Sequence, residues 1–416
     1  MRRSKTLLFT RRDTDTREWD NETVQLTLRA GLVRQFGGGL YGFTPTGERV
    51  RQHLIDRIHA AMTAIGGQAI SLPQLQYRDI WERSGRWANF EDEMFTLQNR
   101  DGQDMCLAPS HEEGVVHLCE GFVRSYEDLP LLLYQISTKH RDDHPRNGLL
   151  RTKEFTMKDA YSLHASHESL DEWYDRVQAA YCSLFEGLGI DFVVASADNS
   201  VMGGNDSEEF IAPVESGTVE LVYCETTDCR FGITDESPRN DLTAGNSCPT
   251  CGNELIEGEG IEIGHVFKLG TRYADAMDFT IDVANGSKQS VVMGSYGIGV
   301  ERLIHTLLAQ RSDEAGCRWP AETMAPYAVS IIPLQYEGEI REAADRLHEE
   351  LGVSDTILFD DDRQSIGERF TESDLLGIPL KVVLGNHFLE TGEVELETRD
   401  GDKAFVELDE VTGLRG

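Results

Sequence analysis

Two arginine-bearing segments about 140 residues apart constrain this chain more than any other feature. The first is Lys139-His140-Arg141-Asp142-Asp143, a short loop containing Pro145 and Gly148, then Arg151-Thr152-Lys153-Glu154-Phe155 and Asp159. Guanidinium groups grip phosphate oxygens through planar, charge-assisted hydrogen bonds, and an aromatic face such as that of Phe155 can stack on adenine. The second is Gly294-Ser295-Tyr296-Gly297-Ile298-Gly299-Val300-Glu301-Arg302, running into the apolar stretch Leu303-Ile304-His305-Thr306-Leu307-Leu308. Its glycines let backbone approach a ligand, and a following helix carries Arg302 in its first turn, where its charge can meet a phosphate. Alone, the glycine segment is equally the tight turn that precedes many helices. In this order the two segments point to an ATP-using, nucleotide-activating enzyme.

These segments resemble motifs 2 and 3 of class II aminoacyl-tRNA synthetases, and residues 139–159 resemble the prolyl-tRNA synthetase version of motif 2. The chain is identified as a member of that family, of the bacterial type, in a short form without the editing insertion domain. The resemblance implies a multidomain α+β fold: an antiparallel catalytic sheet flanked by helices, a small zinc-ribbon-like insertion and a C-terminal α/β anticodon-binding domain. The expected parts are 1–210 and 261–320 for the catalytic domain, 211–260 for the insertion and 326–416 for the anticodon-binding domain. The implied activity is that of a proline-tRNA ligase, which activates proline with ATP and transfers it to the 3′ end of tRNA(Pro). Two alternatives are a paralogue charging a carrier protein or other acceptor, and a non-catalytic tRNA-sensing paralogue. The first usually lacks an anticodon domain, and the second should have lost Arg141 or Arg302.

The resemblance also implies roles for single residues. Arg141 bridges the amino-acid carboxylate and the α-phosphate, and Arg302 holds the γ-phosphate with Mg2+. Arg151 meets the phosphates and Phe155 the adenine, while Asp143 stands where the family has glutamate. The family's threonine-x-glutamate loop, which holds the substrate amino group, corresponds to Ser110 and Glu112, with serine replacing threonine. By residue type alone, Ser110 is equally a helix N-cap with acids in the first turn. Ser295 and Gly264-His265-Val266-Phe267 resemble the lining of the proline pocket, and His265 and Phe267 also share a face of any regular strand. Glu209 resembles a carboxylate near ATP and magnesium, although Glu208 replaces the usual histidine before it; an acidic surface loop is the other reading. No general base is needed, because the attacking carboxylate is already ionised at neutral pH.

Cys224-x4-Cys229, eighteen residues and Cys248-Pro-Thr-Cys251-Gly have zinc-ribbon spacing. A redox dithiol at Cys248 and Cys251 is disfavoured, since no βαβ pattern surrounds it and a second pair is at hand. Cys106, Cys119, Cys182 and Cys317 read as buried small hydrophobes. This candidate fills most of the roughly fifty residues between Phe210 and Ile261, where many bacterial relatives carry an editing domain, so editing in cis is not expected.

The 39 basic and 73 acidic residues give a net charge of −34, and only eight of the basic residues are lysine. Such charge repels nucleic acid at low salt, yet screening shrinks to ~3 Å in molar salt. A salt-adapted cytoplasm with local arginine contacts to tRNA reconciles the two; an acidic protein with no nucleic-acid partner is the competing reading. The apolar run Leu7-Leu8-Phe9 is too short for a signal peptide, and no window approaches a membrane span, so a soluble cytoplasmic protein is expected.

Along the chain, Val50, Leu54, Ile55, Ile58, Met62 and Ile65 recur at helical spacing over 46–65, and Ala69-Ile70-Ser71-Leu72-Pro73 follows as a strand. This pair resembles motif 1, which implies a homodimer. Residues 95–97 and 105–109 read as a hairpin around Asn99-Arg100-Asp101-Gly102. Beyond 326, strands over 327–333, 356–359 and 380–384 alternate with helices over 340–351 and 365–376, an α/β pattern. It resembles the anticodon-binding domain, where Arg363 is the candidate base contact, or else a salt-bridge partner of its neighbouring aspartates.

Overall fold

The computed structural model describes residues 1–8, 10, 21–90, 93–197, 206–226, 228–235, 237, 241–320 and 324–415. Gly203, Gly204 and Asn205, in the stretch that leads to Glu208 and Glu209, lie outside them. Residues 37–40 and 55–306 form one compact unit, and 1–36, 41–54 and 307–416 form another.

The first unit is built on nine strands: β1 (Gln68–Ala69), β2 (Leu131–His140), β3 (Glu154–His164), β4 (Val193–Ser196), β5 (Asp206–Pro213), β6 (Val219–Tyr223), β7 (Phe231–Thr234), β8 (Ile256–Gly270) and β9 (Val292–Gly299). Their order is β5-β4-β7-β6-β8-β9-β3-β2-β1, and β5 also pairs with β8. The pairs β2–β3, β3–β9 and β9–β8 are antiparallel, which is the expected catalytic sheet. The strand expected over 69–73 is shorter: only Gln68–Ala69 pairs, in parallel with β2, because Pro73 and its neighbours continue without ladder partners. The expected hairpin is present as Phe95–Gln98 and Asp104–Leu107, joined by a third strand, Leu75–Tyr77.

The long helix predicted over 46–65 is α1 (Pro45–Ala64), and α2 (Glu112–Cys119) follows the hairpin. Helix α3 (His167–Gly187) starts at Ser166, whose side chain accepts from Ser169 N, and buries Leu170, Tyr174, Val177, Tyr181 and Leu184 at helical spacing. Tyr181, Phe185, Phe192 and Phe210 pack edge-on or tilted at centroid distances of 5.4–5.9 Å, fixing α3 beside β5. Below the sheet, Val115, Val116, Leu133, Tyr161, Leu163, Phe279 and Met293 form a continuous core.

The described residues between 211 and 260 do not hang from the sheet as a loop. Strand β8 is fifteen residues long. Its second half pairs with β9, while its first half pairs with β6, from Tyr223↔Ile256 to Val219↔Gly260. With the β8–β5, β5–β4, β4–β7 and β7–β6 pairings this closes a five-stranded barrel. Val193, Ala195, Ile211 and Leu221 fill it. It is tight: a Cβ on Gly260 would stand 2.4 Å from Ile211 Cγ2, and one on Gly232 would stand 2.6 Å from Val193 Cγ2.

The second unit carries β10 (Val329–Pro333), β11 (Thr356–Leu358), β12 (Leu380–Leu384), β13 (Glu393–Thr398) and β14 (Lys403–Glu407), in the order β11-β10-β12-β13-β14. Helices α5 (Gly338–Glu350) and α6 (Ile366–Leu376) connect the three parallel strands, after α4 (Val300–Arg311) earlier in the chain. The predicted α/β alternation is present, and the antiparallel β13–β14 hairpin extends it. Ser365 and Glu368 form a reciprocal cap at the start of α6. The buried Lys381 on β12 is held by Asp374 and Glu397 at 2.7 and 2.8 Å.

Candidate active site

A cavity of about 380 Å³ opens over β3, β8 and β9 in the first unit. Its lining includes Ser110, Glu112, Arg141, Asp143, Arg151, Phe155, His265, Phe267, Ser295 and Arg302, so residues predicted from four separate segments meet in one place.

At one end stands a carboxylate prepared for a cation. Glu112 Oε2 accepts from Arg86 Nη1 at 3.0 Å and Oε1 from Ser295 Oγ at 3.1 Å, and the residue is 2 % exposed. Burial alone would raise its pKa, but the adjacent Arg86 overcomes this and keeps Glu112 below the usual carboxylate range. The neighbouring Glu113 shares the same guanidinium at 3.1 Å; burial and the charge of Glu112 push its pKa up. Ser110 Oγ accepts from Arg86 Nη2 at 2.9 Å. The helix-capping reading of Ser110 is thereby corrected, because His111 occupies the cap position of α2 and makes no side-chain cap bond.

Arg86 escaped the sequence reading. It follows Gly85, whose φ of +76° turns the chain between two short helices, and its guanidinium lies 4.5 Å from the Phe90 ring centroid and 5.1 Å from that of Trp81. A cation embedded among Trp81, Trp87 and Phe90 was the available signal.

Behind this end lies a polar network. Lys139 Nζ contacts Asp159 Oδ1 at 2.8 Å and donates to His111 Nδ1 and Ser137 Oγ at 2.6 and 2.9 Å. Asp159 Oδ2 accepts from Tyr161 at 2.8 Å and Gln135 at 2.9 Å, and the Tyr161 hydroxyl in turn accepts from His111 N. His111 Nε2 donates to Pro73 O at 3.2 Å. Burial, reinforced by the charge of Lys139, lowers the His111 pKa to about 4, so the ring is neutral and receives the ammonium proton at Nδ1. These contacts fix the 110–112 loop from behind. On the opposite face of β3, away from the pocket, the buried Lys158 donates to Tyr181 Oη on α3 and to Tyr296 O.

Arg141, just beyond β2, is the charge without a matching carboxylate. Among the described residues the hydrogen bonding of its guanidinium is limited to a 3.5 Å contact with Pro109 O, and its buried Nε has no partner. Burial lowers its pKa, with Glu93 opposing and Arg302 reinforcing the effect. An under-bonded guanidinium facing a cavity is an anion site. Phe155 on β3 lies 5.5 Å from it, and at the rim Arg151 pairs with Asp143.

Arg302 sits in the first turn of α4, as expected. It contacts Glu262 Oε2 at 2.7 Å and donates to the carbonyls of Leu150 and Glu262. Glu262 in turn lies 3.3 Å from His265 Nδ1, which is also 3.5 Å from Glu209. Although burial opposes its ionisation, Arg302 and His265 hold Glu262 well below the usual carboxylate range. Glu262 was missed because a regular strand would set it opposite His265. The register slips at Phe210/Ile211, where β8 skips Ile263, and that bulge turns Glu262 and His265 to one face. His265 and Phe267 stack at 3.7 Å, as their alternation predicted. Glu209 does not line the cavity itself but stands behind His265, whereas Glu208, one residue earlier, turns away to Tyr174 and Gln178.

The four predicted metal ligands converge as well. Cys224 and Cys251 Sγ are 3.4 Å apart, Cys229 and Cys248 are 3.6 Å apart, and all four lie within 4.8 Å of one another. Cys106, Cys119 and Cys317 are buried as expected, and Cys182 is half-buried. In the second unit Arg363 is 84 % exposed and bidentate to Asp361 at 2.8 Å, which draws the Asp361 pKa down to about 2. Arg369 is buried against the carbonyls of Pro333 and Asp361.

Residues 95–311 match the tRNA synthetase class II core domain (G, H, P, S and T), and residues 328–413 the anticodon binding domain. The chain is 35% identical to the proline–tRNA ligase of Acidiphilium cryptum, over 98% of both chains, and 34% identical to that of Wolbachia sp. subsp. Drosophila simulans, over 90% of both. With the ligase of Halothermothrix orenii the identity is 30%, over 90% of this chain and 92% of the relative. That alignment runs to 521 positions, more than this chain has residues, so the relative carries a long stretch without counterpart here. In fold the chain is similar to the prolyl-tRNA synthetase from Cryptosporidium parvum complexed with L-proline and AMP, with a TM-score of 0.74 at 16% identity, covering 94% of this chain and 73% of that one.

Proposed function

The chain belongs to the prolyl-tRNA synthetases of class II, and from that premise we propose that its pocket joins proline to ATP and passes the prolyl group to the 3′ end of tRNA(Pro). The observation that carries this reading is one cavity with two opposite ends: an ionised carboxylate, Glu112, held by Arg86, and an under-bonded cation, Arg141. Free amino acids present that pair of charges in reverse.

Glu112 receives the secondary ammonium of proline, with Ser110 and Ser295 setting its orientation. Phe267, backed by His265, offers an apolar wall to the ring. Arg141 draws the carboxylate toward the α-phosphorus, a carboxylate oxygen attacks, and pyrophosphate leaves, with positioning and electrostatics supplying the acceleration. Phe155 flanks the adenine and Arg151 the phosphates. Arg302 exchanges Glu262 for the γ-phosphate. Glu209 and Glu262 bring hard oxygen donors close together, which suits the Mg2+ that accompanies ATP in this family. When bound, that ion neutralises phosphate charge. Arg363 is assigned to the anticodon.

A structural Zn2+ is assigned to Cys224, Cys229, Cys248 and Cys251; a tetrahedral site with ~2.3 Å Zn–S bonds needs sulfur separations of about 3.8 Å, in line with the observed spread. A homodimer is supported by Leu75, Tyr77 and Leu97, which are 41–46 % exposed on one face of the peripheral sheet. Among the described residues no helix is long and apolar enough to cross a membrane, and the reading is of a cytoplasmic, salt-adapted enzyme. Without a cis-editing domain, a small apolar pocket discriminates single methylenes by only ~1–3 kcal/mol, so mischarged tRNA is left to other proteins.

The test is amino-acid-dependent ATP–pyrophosphate exchange in molar potassium chloride, with proline, alanine and cysteine compared. Exchange strongest with proline is expected; folded protein that exchanges with no amino acid would overturn the reading.

A further inference from the structure

We propose that the four-cysteine centre is the clasp of the five-stranded barrel, and that through β8 it holds the nucleotide side of the active site in place while leaving the amino-acid side largely independent. The inference rests on the ligase reading and on the zinc assignment above.

The cysteines come from the ends of barrel strands. Cys224 directly follows β6 and Cys229 nearly adjoins β7, so the first pair closes the tip of the β6–β7 hairpin. Cys224 N donates to Phe231 O at 3.1 Å across that tip. Cys248 and Cys251 form a second turn, finished by Gly252 at φ +82°, and only Leu255 and its neighbours separate it from the start of β8. Leu255 is fully buried among the cysteines. Among the described residues, apart from a hydrogen bond from Asn253 to Thr226 and a marginal sulfur contact to the same hydroxyl, the polar contacts joining the two turns are sulfur to sulfur. Four thiols gathered around a space of tetrahedral size, without disulfide contact, are a metal clasp between hairpin and strand.

What the clasp holds is specific. The first half of β8 lies in the barrel and leads directly into Glu262, which meets Arg302; the barrel strand β5 carries Glu209 opposite His265. The bulge that turns Glu262 inward sits on that β5–β8 pairing. The amino-acid side is anchored elsewhere. Glu112 and Ser110 are held by Arg86, and Phe267, although flanked on one side by Ser207 of β5, pairs on the other with Ser295 in the main sheet. Opening the clasp therefore frees the carboxylates around Arg302 before it disturbs the ammonium site. The barrel cannot tighten to compensate, since Gly260 and Gly232 already approach Ile211 and Val193 without room for a side chain.

The experiment starts from purified full-length protein in molar potassium chloride. Zinc is quantified, then withdrawn in graded steps with a mercurial thiol reagent and a zinc-binding dye, and Cys251→Ser is prepared in parallel. Binding of a fluorescent adenine-nucleotide analogue and hydrogen exchange across 256–268 are followed alongside pyrophosphate exchange with proline. One zinc per chain is expected. Its loss should weaken nucleotide binding and raise the KM for ATP by tenfold or more, with faster hydrogen exchange in 256–262, while the KM for proline moves less than threefold. If the variant does not fold, graded withdrawal from the folded wild-type protein decides. Protein without zinc refutes the metal assignment. Stoichiometric zinc whose removal leaves nucleotide binding unchanged, or raises both KM values together, refutes the clasp with the metal assignment intact. Zinc-loaded protein that shows no proline-dependent exchange refutes the ligase reading, whereas nucleotide binding and hydrogen exchange still judge the clasp.

Discussion

Replacing Glu112 by glutamine keeps the shape of the amino-acid end and removes its charge. Arg86 is not orphaned by the change, because Glu113 remains at 3.1 Å and Ser110 at 2.9 Å, so the cost to stability should stay near 1 kcal/mol. With Glu112 neutral, Glu113 loses the neighbour that pushed its pKa up and takes over the pairing with Arg86. The ammonium of proline, by contrast, exchanges a carboxylate for an amide. A hydrogen bond to a charged group contributes about 1.5–3 kcal/mol, or about ten- to more than a hundredfold in the KM for proline. The assay is pyrophosphate exchange with proline varied at saturating ATP, then ATP varied at saturating proline. The KM for ATP should stay within about threefold, since no nucleotide-side residue touches Glu112. A proline KM within threefold of wild type, in protein of unchanged unfolding temperature, would show that the ammonium is bound elsewhere.

Arg302→Ala should abolish measurable exchange, because it removes the phosphate contact and leaves Glu262 without its guanidinium partner; retained exchange would dismiss Arg302 from the phosphate site. His305 is fully buried on α4, and neither ring nitrogen has a partner among the described residues, so His305→Leu should stabilise the fold by about 1–2 kcal/mol in denaturant titrations. Burial lowers the pKa of His111, His164 and His305 to about 4, below the usual 6.5. Between those values the unfolded chain binds protons that the folded chain excludes. Stability should therefore fall as pH drops from about 6.5 to about 4, by ~1.4 kcal/mol per pH unit per histidine, with no contribution above 6.5; His305→Leu should remove one such share. With a net charge of −34, the unfolding temperature should rise between about 0.1 M and about 1 M potassium chloride as the screening length shrinks from ~10 to ~3 Å; no rise would contradict salt adaptation.

What sequence could and could not reveal follows from the reach of local pattern. The α/β alternation after 326 was readable because each element carries its own period, and the elements from Val329–Pro333 to Leu380–Leu384 fall where expected. Arg141, Arg302 and Glu112, which the structure brings to one cavity, could be picked out because fixed spacing within short segments survives in sequence. The barrel was not, since β4 and β7 are four residues each and pair in parallel across a long stretch of chain. Glu262 was hidden by the bulge that breaks period two, and Arg86 by its distance from every segment it serves. Ser110 has a cap's chemistry but not a cap's place, which only the path of the chain decides.

The three buried lysines, Lys139, Lys158 and Lys381, make this protein a reporter of its own opening. They lie on β2, β3 and β12, strands flanked on both sides in their sheets, while the remaining five are at least partly exposed. An amine-selective label should mark the exposed lysines at once and reach these three only when a sheet comes apart. Labelling mass spectrometry on the untouched chain would then time the separation of β2 from β3 and of β12 from its neighbours, with no probe engineered in.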